Sequence, residues 1–265
     1  MVTQSASSFG SHWPVPSTKP DKESSLTEQT LIEIHPSQFW FTELHTPHLG
    51  ITFRVKEQLV CKQTPYQTIQ IFDTYEMGRM LVLDGLVMVS DRDEAAYHEM
   101  LVHVPMHTHP HPRKVLIIGG GDGGSLKQVI KHTSVEKVVQ VEIDREVVEL
   151  CRNYFPSLTS AYDHPKVQLI FQDAVEFVRQ CSESFDVVIV DGSDPIGPAI
   201  GLFQEEFFEN IHRILNHQGL VSGQIGSPFL NGERVKRIAR LLTTIFADRA
   251  IYLVQTPTYL PGIWA

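Results

Sequence analysis

Between Ile51 and Ser90 apolar and polar positions alternate with a period of two, so that ITFRVKEQLV, YQTIQIF and RMLVLDGLVMV each read as strands with one buried face. Asp84-Gly85 falls between two apolar runs and predicts a tight antiparallel hairpin. At Asp93 the spacing turns helical in DEAAYHEMLVHVPMH, with acids in the first turn, where the helix dipole favours them. Beyond Pro112, strands KVLIIG, EKVVQVEID, KVQLIF, FDVVIVD, GLVSGQI and RAIYLVQT alternate with helices. The helices start near Ser125 and Arg145, cover 174–179, and cover EEFFENIHRIL and ERVKRIARLLTTIF. Runs such as VVIV lack alternation, as strands covered on both faces by helices do. The pattern predicts an α/β chain with a small N-terminal antiparallel β domain at residues 30–91 and a doubly wound sheet at 92–265, joined by the helix from Asp93. Residues 1–29, rich in Ser, Thr, Pro and Gln, are expected to form a disordered tail.

Composition narrows the partners. The 265 residues, 42% hydrophobic, carry 22 Lys plus Arg against 31 Asp plus Glu, a formal charge of −9. That balance repels nucleic-acid phosphates and anionic lipid and favours a cationic partner. Cys61, Cys151 and Cys181 are scattered without a CxxC spacing, which predicts neither a disulfide framework nor a zinc site and fits a reducing, cytoplasmic setting. No apolar run reaches membrane-spanning or signal-peptide character, so neither secretion nor a membrane partner is expected.

In open α/β sheets ligands bind beyond the carboxyl ends of the strands. The first of these strands ends in GGGDGG, where Gly119, Gly121 and Gly124 satisfy G-x-G-x-x-G, and Glu142 closes the next strand, placed to accept from a ribose diol. Asp122, inside the glycines, would repel the pyrophosphate of a dinucleotide. It would equally repel the carboxylate of an intact S-adenosylmethionine, but not a donor that carries only an ammonium and a sulfonium. Asp173 in QDA is placed to accept from an exocyclic amine while the Ala174 amide donates to a ring nitrogen, although Asp173 also reads as a helix N-cap. VDGSDPIGPA puts Asp191 directly after VVIV and Asp194 three residues on, in a loop stiffened by Pro195 and Pro198. Two such carboxylates attract an alkylamine, and one can take its proton. An amine with a pKa of about 10.4 is almost wholly protonated at neutral pH and must be freed before it attacks. Tyr259, between two prolines, could reach over the same mouth, while Gln67, on a strand, and Tyr97-His98, on the joining helix, carry no signal alone. HVPMHTHPHP is read as extended because of its prolines and as lacking a compact ligand set, so no metal is expected there. Lys236, Arg237 and Arg240 read as a solvated helix face.

From about Trp40 to Trp264 the chain resembles the polyamine aminopropyltransferases of the spermidine synthase type, on the motifs FWFTE, LVLDG, DEAAYHEM, GGGDGG, VEID, QDA, VDGSDPIGPA, SPF and PTY. The resemblance implies a small β domain on a Rossmann-like sheet of the S-adenosylmethionine methyltransferase type, assembled as a dimer or tetramer. It implies decarboxylated S-adenosylmethionine as co-substrate, a diamine as acceptor, and no further cofactor. Carried over by motif position, Gln67, Glu142, Asp173, Ala174 and Pro198 would hold the adenosyl part of the donor, and Asp122 with His98 its ammonium. Asp191 would be the general base, Tyr97, Asp194 and Tyr259 would orient the acceptor, and Gln224 would line its site. The chain departs from the family pattern at Gly192, where Ser or Thr is usual, and at Gly226, where Glu is frequent, and it ends at Ala265, about where the family enters a last strand. Two rival readings stay open: a diamine N-methyltransferase using S-adenosylmethionine, and a non-catalytic polyamine-binding relative.

Overall fold

The computed structural model describes residues 39–260 and 262–265. The tail expected over 1–29 lies outside them. Strands β1 (Trp40–Thr46), β2 (Leu49–Gln63), β3 (Thr68–Thr74), β4 (Arg79–Leu83) and β5 (Leu86–Ser90) form an antiparallel meander in chain order. The β4–β5 turn is the Asp84-Gly85 pair, with φ of 48° and 84°, the left-handed backbone that a two-residue hairpin matching strand twist requires. Helix α1 (Glu94–Thr108) leads into a parallel sheet built from β6 (Lys114–Gly119), β7 (Lys137–Glu142), β8 (Val167–Phe171), β9 (Phe185–Asp191) and β10 (Leu215–Gly223), in the order β10-β9-β6-β7-β8. The connecting helices are α2 (Gly124–Ile130), α3 (Arg145–Tyr154), α4 (Pro156–Thr159), α5 (Ala174–Gln180), α6 (Glu205–Ile214) and α7 (Gly232–Ile245), with a 3-10 turn η1 (Gly197–Phe203) after β9.

Both faces of the parallel sheet are covered, which is why its strands lack alternation. Val115 and Ile117 of β6 pack with Leu101, Val102, Met106, Leu126 and Val129 of α1 and α2. Leu116 and Ile118, one residue out of phase, pack with Val178, Phe207, Ile211 and Ile238 of α5, α6 and α7. All four β6 side chains are fully buried, each stabilising the fold by roughly 1.5–3 kcal/mol relative to exposure. The antiparallel sheet lays Ile69, Ile71, Leu81 and Val89 on Val147, Cys151, Phe155 and Leu158 of the α3–α4 region, which fixes it beside the carboxyl ends of the parallel strands.

Two expectations are corrected. RAIYLVQT does not add a strand to the parallel sheet: only β11 (Val254–Gln255) forms, pairing antiparallel with β12 (Ile263–Trp264). Side chains anchor the segment instead, the Tyr252 hydroxyl donating to the Met100 carbonyl and lying 3.0 Å from the Ser222 hydroxyl. HVPMHTHPHP is not extended throughout, because α1 runs through Pro105 to Thr108. Burial of Leu101, Val102, Pro105 and Met106 against α2 and the sheet outweighs the one helical hydrogen bond that proline removes.

Gly119 ends β6 at φ 78°, and a Cβ there would stand 2.3 Å from the Asp191 carbonyl oxygen, whereas Gly85 at φ 84° faces open space. Gly85→Ala is therefore predicted to cost only the ~1–2 kcal/mol of a left-handed L-residue, and Gly119→Ala clearly more, because β6 and β9 must part. Urea unfolding of the two variants checks this, and equal losses would contradict it.

Candidate active site

The chain runs outward from β6 through β7 to β8, then returns to the other side of β6 through β9 to β10, so the order reverses between β6 and β9. That reversal opens a crevice at their carboxyl ends. Gly119 pairs with Asp191 across it, and the Gly120 amide donates to the Asp191 carbonyl at 2.9 Å. Glycine at 124 gives the His98 ring its place, since a Cβ there would lie 2.1 Å from His98 Cε1.

A cavity at this crevice brings together Asp191, Gln67, Tyr97, Asp122, Glu142, Asp173, Ala174, Asp194, Pro198, Gln224 and Tyr259. Seven carboxylates line it, with no Lys or Arg among its described lining residues. His98 stands behind the wall, 1% exposed, with its ring nitrogens 2.7 Å from Glu94 Oε2 and 3.3 Å from Asp122 Oδ1. Burial alone would lower the His98 pKa, but Asp122 and Glu94 outweigh it and push it up to about 10. Burial likewise works against the Asp122 carboxylate, yet His98 and the Gly124 amide, which donates to Oδ1 at 2.7 Å, hold its pKa below the usual value. Asp122 is thus kept ionised on the wall by a buried imidazolium. His98, expected beside Asp122 at an ammonium, does not itself line the cavity; it stands behind Asp122.

Asp191 has the opposite balance. Burial and then the neighbouring Asp122 raise its pKa against the opposing pull of His98, Ser125 and Tyr97. Tyr97 donates to Oδ1 at 2.9 Å, and buried Oδ2 has no hydrogen bond of normal geometry, the Ser125 hydroxyl being the nearby polar group. Asp194 is not the free anion expected from the sequence, because Arg234 of α7 donates to its Oδ1 at 2.9 Å. The Gly192 carbonyl accepts from Gln224 Nε2 at 3.3 Å, leaving Gln224 Oε1 buried and unpartnered. Gly226 adopts φ 107°, where a Cβ would crowd Asn231 and Arg234, so a glutamate there would need a different backbone. The Tyr259 hydroxyl donates to the Met88 carbonyl, so this residue presents its ring to the cavity, stacked edge-on to Tyr97.

On the other side of Asp122, Glu142 is buried with Oε1 held by the Asp144 amide at 2.9 Å, and burial pushes its pKa up to about 7. Gln67 lies in the turn before β3, not on a strand, and donates to Asp144 Oδ2 at 3.0 Å. Asp173 does cap α5, accepting from the Val175 amide at 2.8 Å, while also facing the cavity. This half presents acceptors suited to a nucleoside, and the Asp122–Asp191 half suits cations.

Glu43 went unrecognised as a site residue. It is the one fully buried position of β1, it lines the cavity, and its Oε2 has no partner. Burial first, and then Asp194, push its pKa up to about 8. The sequence signal was an inverted strand, with Trp40 and Leu44 exposed and glutamate turned inward. Arg234 was also missed, whereas Lys236, Arg237 and Arg240 are exposed as expected. Among the described residues two clusters have metal-ligand spacing: His98 with Asp122 and Asp191, and His103 with His107 and His132. In the first, both His98 nitrogens already face carboxylates.

Fold and cavity together define a class: a Rossmann-type α/β chain whose parallel strand ends open onto a cavity lined by carboxylates. Residues 94–265 match the spermine/spermidine synthase domain, and residues 39–91 match the spermidine synthase tetramerisation domain. A polyamine aminopropyltransferase from Moorella thermoacetica is 46% identical over 226 residues, 85% of this chain and 80% of that relative. One from Thermoanaerobacter sp. is 43% identical over 227 residues, covering 86% and 82%. Among solved structures, a spermidine synthase in complex with the transition-state analogue AdoDATO superposes with a TM-score of 0.83 at 37% identity, covering 85% of this chain and 78% of that one. Spermidine synthase from Thermotoga maritima gives 0.80 at 36%, covering 85% and 76%. The chain belongs to the spermine/spermidine synthase family, and it is a transferase of the polyamine aminopropyltransferase type. None of its described helices is long and apolar enough to cross a membrane.

His98 has a raised pKa, so its contribution to stability is complete below the ordinary value of 6.5 and is lost as pH rises through about 10. Between pH 8 and 10 Glu43 completes its titration in wild type and variant alike, so the unfolding free energy of the wild type should fall toward pH 10 more steeply than that of His98→Gln. Parallel curves from urea titrations at pH 8, 9 and 10 would contradict the imidazolium.

Proposed function

We propose that the chain transfers the aminopropyl group of decarboxylated S-adenosylmethionine to a diamine, putrescine being the best fit, with Asp191 as general base. Supporting the reading above all is the pairing within one cavity of Asp122, whose pKa is held down, with Asp191, whose pKa is raised by burial and by Asp122. Asp191 takes one proton from the acceptor ammonium, and the freed nitrogen attacks the aminopropyl carbon beside the sulfonium. A C–N bond forms, the C–S bond breaks with its electron pair going to sulfur, and methylthioadenosine leaves. The product leaves as a secondary ammonium that keeps both of its nitrogen protons, and Asp191 returns its proton to solvent. Positive charge moves from sulfur to nitrogen, and carboxylates already fixed in the wall stabilise it without reorganising. The co-substrate carries its own leaving group, so the step balances without a further cofactor.

Glu142, Gln67, Asp173, Ala174 and Pro198 take the adenosyl part in this reading, and Asp122 takes the donor ammonium. Tyr97, Asp194, Gln224 and the Tyr259 ring shape the acceptor path, and Glu43 receives the far ammonium of the diamine. Arrival of that ammonium returns Glu43 to its ionised form, which favours a dication over a monoamine. The chain assembles as a homo-oligomer through its antiparallel sheet. The tetramerisation-domain match and the exposed Phe39, Trp40, Leu44 and Leu49 support this. Sedimentation that finds only monomer at micromolar concentration would contradict it.

Supplied with decarboxylated S-adenosylmethionine and a panel of diamines, the protein should release methylthioadenosine, and fastest with putrescine. Asp191→Asn should lower kcat at least about 100-fold, the low end for removing a general base. Glu43→Gln should raise the diamine KM about 10-fold or more while changing kcat less, as loss of a charge-assisted hydrogen bond does. Near-normal turnover of Asp191→Asn would reject it as base, and release of S-adenosylhomocysteine from S-adenosylmethionine would favour methyl transfer.

A further inference from the structure

Helices α1 and α2 pack side by side, their first turns meeting at His98 and Gly124. Their far ends meet too. His103 and His107, one turn apart on α1, face His132, which follows α2 with its amide donating to the Val129 carbonyl at 3.1 Å. His103 Nδ1 lies 2.8 Å from His132 Nε2, the three ring centroids are 4.9–5.9 Å apart, and one ligand nitrogen from each ring falls within 4.8 Å of the others. Helical rise puts this cluster about 7–14 Å along α1 from His98, clear of the cavity; none of the three histidines lines it.

We propose that His103, His107 and His132 form a binding site for a divalent transition-metal ion, Zn2+ above all, that clamps the far ends of α1 and α2. Three imidazoles are a borderline-soft nitrogen set that suits Zn2+, Ni2+ and Cu2+ and holds Mg2+ or Ca2+ poorly. Tetrahedral Zn–N bonds of about 2.0–2.1 Å set ligand nitrogens about 3.3 Å apart. The His103–His132 pair therefore needs to open by only about half an ångström, exchanging one hydrogen bond for two metal bonds. His107 is exposed, so its ring can turn to complete the set, and a solvent molecule takes the fourth position. Burial above all holds the His103 and His132 pKa values below the ordinary imidazole value, at His103 against the opposing charge of Glu99.

Protein prepared without a polyhistidine tag and stripped with chelator should bind one Zn2+ per chain with micromolar or tighter affinity by calorimetry, and Co2+ should give the visible absorption of a low-coordinate nitrogen site. At free Zn2+ 100 times Kd, unfolding is opposed by a factor of about 100, so the thermal midpoint should rise by several degrees. His107→Ala and His132→Ala should each weaken Zn2+ at least about 10-fold, since even outer-shell changes cost 10–100-fold. His109→Ala should bind as wild type does, and saturating decarboxylated S-adenosylmethionine should leave Zn2+ affinity unchanged. His107→Ala alters an exposed side chain, so a retained far-UV spectrum and midpoint certify its fold. The proposal is overturned by absence of binding, by binding that survives both variants, or by binding that the donor displaces, which would assign the metal to His98, Asp122 and Asp191.

Discussion

Taking carboxylates out of water is the constraint on which this site depends. An ionised carboxyl within protein walls loses hydration worth several kcal/mol unless a partner replaces it. The chain answers differently at each position. Asp122 has its cation built in, as His98 backed by Glu94. Asp194 has Arg234. Asp191 and Glu43 are under-compensated, His98 offsetting only part of the burial and of the Asp122 charge felt by Asp191, and both respond by holding their protons more tightly. A cavity in that condition is poised for ammonium groups, because each one bound supplies the missing counter-charge and releases a proton. Selectivity for cations in the proposed reaction rests on this imbalance.

Two sheets are needed to build it. The parallel sheet contributes its switch point, where Gly119 lets the β6 and β9 backbones approach and sends Asp191 into the crevice. The antiparallel sheet closes the other side with Glu43 and Gln67, and the Tyr259 hydroxyl, bound to the Met88 carbonyl, ties the C-terminal segment to it. Helix α1 serves both, carrying Tyr97 to Asp191 and His98 to Asp122 within one turn. An edge strand with glutamate inward and tryptophan outward makes sense only with a polar cavity beneath it and a further surface above it.

Much of this was legible from spacing. Asp84-Gly85 fixed a hairpin, and unalternating strands ending in Gly119, Glu142, Asp173 and Asp191 located the crevice by the strand-end rule before any contact was known. Local pattern failed where tertiary neighbours decide the outcome. Glu43 shares its inward face with Phe41 and lies between Trp40 and Leu44, an inversion that only the folding of β1 over the crevice makes readable. Arg234 is one of several basic residues on α7, singled out by its contact with Asp194. The prolines of HVPMHTHPHP suggest extended backbone, yet burial of Leu101, Val102 and Met106 carries α1 past Pro105 and thereby aligns His103 with His107. RAIYLVQT has strand composition, but Tyr252 pins it through its side chain.

Proton counting on binding tests the account most directly. Titrating putrescine into the protein saturated with a non-reactive analogue of the donor, at pH 7 in buffers of differing ionisation enthalpy, reads protons exchanged as a buffer-dependent heat. Glu43, pushed up to about 8 in the empty cavity, is mostly protonated at that pH and must give up its proton to meet the incoming ammonium. The account predicts net release approaching one proton per site or more, sharply reduced in Glu43→Gln. Heats identical in every buffer would mean that the wall was already ionised, and the unbalanced carboxylates at the centre of this account would not exist.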